Sequence, residues 1–222
     1  MMQEKLQVPR ELLDGEGIWG SRLGDNLLHH ACRHGWSALV RELVVNQKMD
    51  VNKLLGPFSA TPLMLAAGNG RVDIATILLD APNIDTELRR GPGTALHWAA
   101  LRQQSVEMFK LLLCRGADGG AVGDHGLSVL ELAARKVLYP WFRDGAKPVV
   151  KFLAKEACVQ VTQKVLDSVA EDPDTLEVCQ EARTQPRRLE HLAKVAAWKT
   201  PITLRRSLLP KPVRKFVNFE EN

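Results

Sequence analysis

Aromatic side chains are scarce in this chain: six Phe, five Trp and one Tyr among 222 residues, 5% of the total. Strand-rich sandwiches and barrels draw heavily on aromatic and β-branched residues, so that architecture is not expected. No apolar run approaches the ~18 to 20 residues that a membrane helix needs. The start, MMQEKLQVPRELLDGEG, scatters charges where a signal peptide would hold an apolar core. The four cysteines, Cys32, Cys114, Cys158 and Cys179, form no C-x-x-C pair, and three lie in apolar helical patterns. They read as reduced thiols acting as small hydrophobes, with zinc or disulfide use as the alternative. A reducing compartment, cytosol or nucleus, is the expectation. Catalytic signatures are missing too: there is no H-E-x-x-H, G-x-S-x-G, P-loop or G-x-G-x-x-G. His30 and His34 have the i, i+4 spacing of metal ligands, but no carboxylate-rich segment completes a site. No enzyme, metal or cofactor is expected.

What the chain does have is periodicity. Gly24-Asp-Asn-Leu-Leu-His-His-Ala-Cys-Arg-His-Gly35 aligns with Ala60-Thr-Pro-Leu-Met-Leu-Ala-Ala-Gly-Asn-Gly70, with Gly93-Thr-Ala-Leu-His-Trp-Ala-Ala100 and with Leu127-Ser-Val-Leu-Glu-Leu-Ala-Ala134. Asn26, Thr61, Thr94 and Ser128 are equivalent, at spacings of 35, 33 and 34. Thr61 and Thr94 suit a helix N-cap and Pro62 a first helical turn. The alanine pairs, such as Ala66-Ala67 and Ala99-Ala100, let neighbouring helices approach. A second apolar helix follows each first one, over 38–45, 72–79 and 106–113, and then a polar turn. No unit of this size buries its apolar face alone, so the units must stack. The period and the Thr-Pro-Leu and Thr-Ala-Leu-His-Trp-Ala-Ala strings resemble the ankyrin repeat. In that resemblance His97, and His29 in the first unit, brace the turns by hydrogen bonding. The fourth unit carries an apparent insertion, Lys136–Gly145, before an apolar stretch from Lys147 to Leu153. Its Tyr139, Trp141 and Phe142 either form part of a binding face or fold back over the last repeat. Residues 157–182 are amphipathic, notably Val159–Ala170, and suit a terminal repeat that covers the end of the stack.

The last stretch differs in character. Leu189, Leu192, Ala193 and Ala196 form one narrow apolar helical face after Pro186, and Val213, Phe216 and Val217 form another after the break at Leu208–Pro212. Such faces usually dock in a partner groove. Pro186-Arg-Arg-Leu-Glu-His-Leu-Ala-Lys194 and Leu209-Pro-Lys-Pro-Val-Arg-Lys-Phe-Val-Asn-Phe219 resemble the two halves of the SOCS box that ends the ankyrin-repeat and SOCS-box family. The order of repeats followed by this tail is more specific than either piece. Three positions depart from the family pattern: Arg188 replaces a small residue, Ala193 a cysteine and Ala197 a larger aliphatic. At about 0.8 kcal/mol per lost methylene, the smaller side chains weaken docking by roughly ten- to a hundredfold.

The resemblance implies an all-α chain: an ankyrin solenoid of about four repeats and a small helical SOCS-box-like segment. The expected divisions are a lead-in (1–23), the repeats (24–156), a helical terminal repeat or linker (157–185) and the box (186–222). It also implies a non-catalytic substrate-recognition subunit of a cullin-RING ubiquitin ligase. Leu189, Leu192, Ala193, Ala196 and Ala197 would meet Elongin C, with Elongin B alongside. Leu209, Pro210, Pro212, Val213, Phe216 and Val217 would lie near the cullin, usually cullin-5. The alternative is an ankyrin scaffold with no ligase attached.

Ankyrin geometry places the turn tips and the ends of the first helices on the concave face. Those positions hold Arg33, His34, Lys53, Arg89, Arg90, Trp98 and Arg102, and Trp141 and Phe142 in the insertion extend the candidate protein-substrate surface. The basic mixture suits an acidic or phosphorylated peptide, because Arg pairs well with carboxylate and phosphate. An ordinary solvated face is the competing reading. Membrane partners are not expected. Nucleic acid is not expected either, because the tail lacks the interleaved aromatics that stack on bases. The net charge of +4 is unevenly spread: residues 183–215 carry +9, the last seven −2 and residues 1–182 −3.

Overall fold

A computed structural model describes residues 27–54, 59–102, 105–157 and 159–184. The regular elements among the described residues are helical, and isolated bridges pair Arg90 with Gly93 and Val122 with Ser128. Packing divides the chain into two compact units, residues 1–103 and 104–222.

The first unit holds α1 (Leu27–His34), α2 (Ser37–Arg41) continuing into a π-turn (Glu42–Asn46), α3 (Pro62–Gly68), α4 (Val72–Leu79) and α5 (Ala95–Arg102). α3 lies between α1 and α5, and α2 packs on α4. Ala66, Ala67, Ala99 and Ala100 are fully buried, as the close approach of α3 and α5 requires. Leu28, Leu63, Met64, Ile74, Leu78 and Leu96 fill the space around them. Thr61 caps α3 by accepting from the Met64 N–H at 3.2 Å, and Pro62 takes the first helical position. α1 and α3 end at Gly35 and Gly70, whose φ values of +89° and +66° are the left-handed turn that glycine allows.

The second unit holds α6 (Val106–Cys114), α7 (Val129–Val137), α8 (Pro140–Lys151) continuing into a π-turn (Phe152–Glu156), α9 (Gln163–Val169) and α10 (Pro173–Thr184). α7 packs on α8 and α9, and α10 packs on α8, its π-turn and α9. Met108, Phe109, Leu112, Leu130 and Leu153 are fully buried. Cys32 and Cys179 are buried free thiols, and burial pushes the Cys179 thiol up to about 11.

Two sequence expectations are corrected here. The Lys136–Gly145 segment is not an inserted loop: α8 begins at Pro140, so the second helix of the fourth period starts seven residues before Lys147. Pro140 occupies the first helical position, where its missing N–H costs nothing. Within the amphipathic Val159–Ala170 stretch the helix starts only at Gln163. Val159 and Val161 precede α9 as buried residues, and the chain turns again before Pro173 starts α10. Thr162 stands 34 residues after Ser128, in the register of the earlier periods.

Ser128 and Glu131 form a reciprocal cap on α7, with the Ser128 N–H donating to Oε2 at 2.9 Å and the Glu131 N–H to the serine hydroxyl at 3.2 Å. The Thr162 hydroxyl, from the next period, donates to Glu131 Oε1 at 2.8 Å. Burial alone would raise the Glu131 carboxyl, but these donors and the nearby Lys164 charge hold it below the usual carboxylate range. Asp172 behaves alike: burial opposes ionisation, while the Lys147 ammonium at 2.7 Å and the Thr175 hydroxyl outweigh it. Both carboxylates are lowered in the folded chain, so their stabilisation is complete above about pH 4–5 and is lost as pH falls through their folded values. Thermal unfolding followed by circular dichroism is expected to weaken steeply in acid. Glu131→Gln, which weakens a hydrogen bond to a charged group, should cost about 1.5–3 kcal/mol at pH 7 and flatten that acid dependence.

Candidate functional site

The exposed basic residues of the first unit sit on turns that are held from below. After α4 the chain reaches a tight reversal at Gly91 and Pro92, closed by Arg90 N–H to Gly93 O at 3.0 Å and Gly93 N–H to Arg90 O at 3.1 Å. Gly91 has φ +61°, so the reversal depends on glycine there. The Trp98 indole N–H, from α5, donates to the Arg90 carbonyl at 3.0 Å. A side chain on Gly91 would lie 3.5 Å from the Trp98 ring, and one on Gly68 3.3 Å from its other side. Trp98 is therefore wedged between α3 and the turn and is only 5% exposed.

That burial corrects the reading of Trp98 as a substrate contact. Its role is to support the tip that carries Arg89 and Arg90, both exposed. The Arg102 guanidinium lies 6.0 Å from the indole centroid, so the same Trp98 that holds the Arg90 carbonyl also lies near Arg102. The preceding turn is tied to the same region. The Asn52 amide donates to the Asn83 carbonyl at 2.6 Å, and its oxygen accepts from the Asp85 N–H at 2.9 Å. Lys53, next in the chain, is exposed, while its carbonyl and that of Ala60 lie 2.9 and 3.1 Å from His29 Nε2. Both partners can only accept, so Nε2 carries the proton and donates to both. His97 lies 2.9 Å from the Thr94 hydroxyl through Nδ1, within its own helix start.

Arg33 and His34 end α1, the first half-buried and the second exposed. The His34 ring stacks on Trp36 at 5.5 Å and lies 4.4 Å from His30. Trp36, 45% exposed, was not among the residues singled out from sequence. Its signal was only its place after Gly35, one turn beyond the two histidines.

In the second unit Trp141 and Phe142 occupy the first turn of α8, 79% and 41% exposed. They do not fold back as a cover. The Lys136 ammonium lies 4.6 Å over the Phe142 ring. The tail residues Leu189, Leu192, Ala193, Ala196, Ala197, Leu209, Pro210, Pro212, Val213, Phe216 and Val217 lie outside the described residues.

The groups whose ionisation is displaced serve caps and core. Ser37 lowers Asp73, the backbone and Ser105 at the start of α6 lower Glu107, and burial raises Cys32. Among the described residues no three His, Cys, Asp or Glu side chains gather where they would hold a metal ion. No described helix is long and apolar enough to cross a membrane.

Comparison with known proteins agrees with this geometry. Residues 3–90 match a family model of ankyrin repeats in three copies, and residues 93–124 match a single ankyrin repeat. A palmitoyltransferase, akr1 of Schizosaccharomyces pombe, is 45% identical over 62 residues, 28% of this chain and 10% of its own length. The E3 ubiquitin-protein ligase KEG of Arabidopsis thaliana is 29% identical over 114 residues, 51% of this chain and 7% of its own. A CCCH zinc-finger protein of Oryza sativa subsp. japonica is 43% identical over 70 residues, 30% of this chain and 9% of its own. The chain thus covers a tenth or less of these relatives, whose printed activities differ.

The Trp98 wedge is testable by urea unfolding. Trp98→Phe keeps a six-membered ring but removes one of the two hydrogen bonds to the Arg90 carbonyl, leaving the Gly93 N–H, and should cost about 1 kcal/mol. Trp98→Ala opens a cavity as well and should cost about 3–5 kcal/mol. Equal losses in the two variants would contradict the wedge.

Proposed function

We propose, from the premise that this chain belongs to the ankyrin-repeat family, that it is a non-catalytic adaptor: its repeats hold a protein substrate and its tail docks a ubiquitin ligase. The repeats are a protein–protein interaction module. The finer reading rests on one observation, the order of repeats followed by Pro186-Arg-Arg-Leu-Glu-His-Leu-Ala-Lys194 and Leu209-Pro-Lys-Pro212. In this reading Leu189, Leu192 and Ala193 meet Elongin C, Elongin B follows, and the Leu-Pro-Lys-Pro stretch contributes to selection of cullin-5. The chain works in the cytosol or nucleus. The smaller Ala193 and Ala197 favour a second reading, a scaffold whose tail no longer engages Elongin C.

On the repeat side, the exposed Arg89 and Arg90 sit on a turn braced by Trp98, and the Arg102 guanidinium lies 6.0 Å from the same indole. Guanidinium pairs bidentately with carboxylate and phosphate, so an acidic or phosphorylated segment is the substrate class that fits. Binding driven by such pairs weakens with salt.

Co-expression with Elongin B and C separates the two readings. The adaptor is expected to stay with both subunits through gel filtration, and Leu189→Asp should abolish the complex. A chain that elutes alone supports the scaffold. On the substrate side, Arg89→Glu with Arg90→Glu is expected to lose protein partners that the parent chain retains at low salt. Full retention would exclude the basic turn as the contact.

A further inference from the structure

α10 buries two of its twelve residues, Thr175 and Cys179, and neither is a large apolar side chain. Leu176 and Val178 are half-buried. The elements it packs on have a firmer core: α8 and its π-turn bury Ala146, Val149, Val150, Phe152 and Leu153. What α10 brings is charge. From Glu171 to Thr184 the chain holds Glu171, Asp172, Asp174, Glu177 and Glu181 against one base, Arg183. α8 and its π-turn carry Arg143, Lys147, Lys151 and Lys155, one at every fourth position. Residues four apart on a helix share a face.

The two rows meet. The Arg143 guanidinium lies 3.6 Å from the Glu171 carboxylate, the Lys147 ammonium 2.7 Å from Asp172 and the Lys155 ammonium 2.7 Å from Glu181. Arg143 also donates through Nε to the Val137 carbonyl at 3.0 Å, which braces the start of α8 and holds the guanidinium in place. Burial raises the Cys179 thiol and the Lys151 charge acts against it, so the fourth cation faces α10 as well. The partners advance along the chain in step with the cations, which makes a row of ionic contacts and not one chance pair. Arg183 then donates to the Gln163 side chain of α9 at 2.7 Å. The pairs differ in depth. Lys147 and Asp172 are enclosed, with side chains 28% and 10% exposed, and the Thr175 hydroxyl also donates to Asp172. Lys155 and Glu181 are open, at 49% and 43%. Open pairs contribute little each and are screened by salt. An element with little buried apolar area, held largely by such contacts, opens more readily than the core beneath it.

We infer that α10 is an ionic latch: it lifts from α8, its π-turn and α9 as a unit while α7 to α9 stay folded, and ionic strength sets how often it is open. Residue 185 and those after it join the described fold through α10, so opening lengthens the tether of that segment by twelve residues. The latch depends neither on what the tail binds nor on a ligase.

Hydrogen exchange on the full chain, read peptide by peptide, tests the latch, with α7 of the same unit as the internal reference. The α10 amides are expected to exchange faster than those of α7. They should exchange faster still as sodium chloride rises from about 0.1 to 1 M, where the screening length falls from about 10 to 3 Å. Lys155→Glu sets two carboxylates together at the open pair and should speed α10 exchange roughly three- to tenfold, with α7 unchanged. Adding Glu181→Lys restores an opposite-charge pair and should return α10 to near the parent rate. Simple fraying of a helix end would not be reversed by exchanging the two charges. One shared rate for α10 and α7 overturns the proposal. So does an α10 rate that is indifferent to salt, or a double variant that exchanges as fast as Lys155→Glu alone.

Discussion

A pair of short helices has more apolar surface than it can cover, and the neighbour that covers it must also satisfy the polar groups at the helix start. In the first and fourth periods both requirements meet at the third residue after the cap position. His29 stands there in the first period and donates across to the carbonyls of Lys53 and Ala60. Glu131 stands there in the fourth, closes its own cap with Ser128 and accepts from Thr162 in the fifth. Both side chains are buried. A buried imidazole or carboxylate without a partner would be costly, so these residues belong only where the next period is in place. The polar bonds thereby fix the register, and apolar contact supplies the larger share of the driving force.

Much of this was legible in the sequence because it is periodic. Threonine at 61 and 94, the alanine pairs and the glycines at 35 and 70 each follow from a local rule, and each recurs at the repeat interval. What was not legible lacked that repetition. The start of α8 was hidden because Tyr-Pro-Trp-Phe looks like loop composition, yet Pro140 at a first helical position promotes the helix. The fifth helix pair was blurred because Thr162 spends its hydroxyl on Glu131 and makes no cap of its own. Trp98 was misplaced for a different reason. Repeat geometry puts its position near the concave side, but the ring turns inward to the Arg90 carbonyl. That inward turn depends on the space left by Gly68, which no spacing rule conveys.

Stretches of this chain are similar to stretches of proteins named as a palmitoyltransferase, a ubiquitin ligase and a zinc-finger protein. A module reused in proteins of such different names does not dictate a function by its fold, and its use is set by what lies on the turns and what is attached to it. In this chain the turns of the first unit present arginines on a braced tip, and the second unit presents aromatics on a braced helix start. The attached tail carries the net positive charge, +9 over residues 183–215 against −3 over 1–182. That asymmetry divides the chain at the same place as its motifs do.

The central claim is that recognition and ligase docking occupy separate parts of one chain. Hydrogen exchange on the full chain, alone and with Elongin B and C, addresses it most directly. The account predicts new protection confined to residues 186–217, with the amides of α1 to α10 unchanged. Protection gained in the repeats, or none gained anywhere, would contradict it.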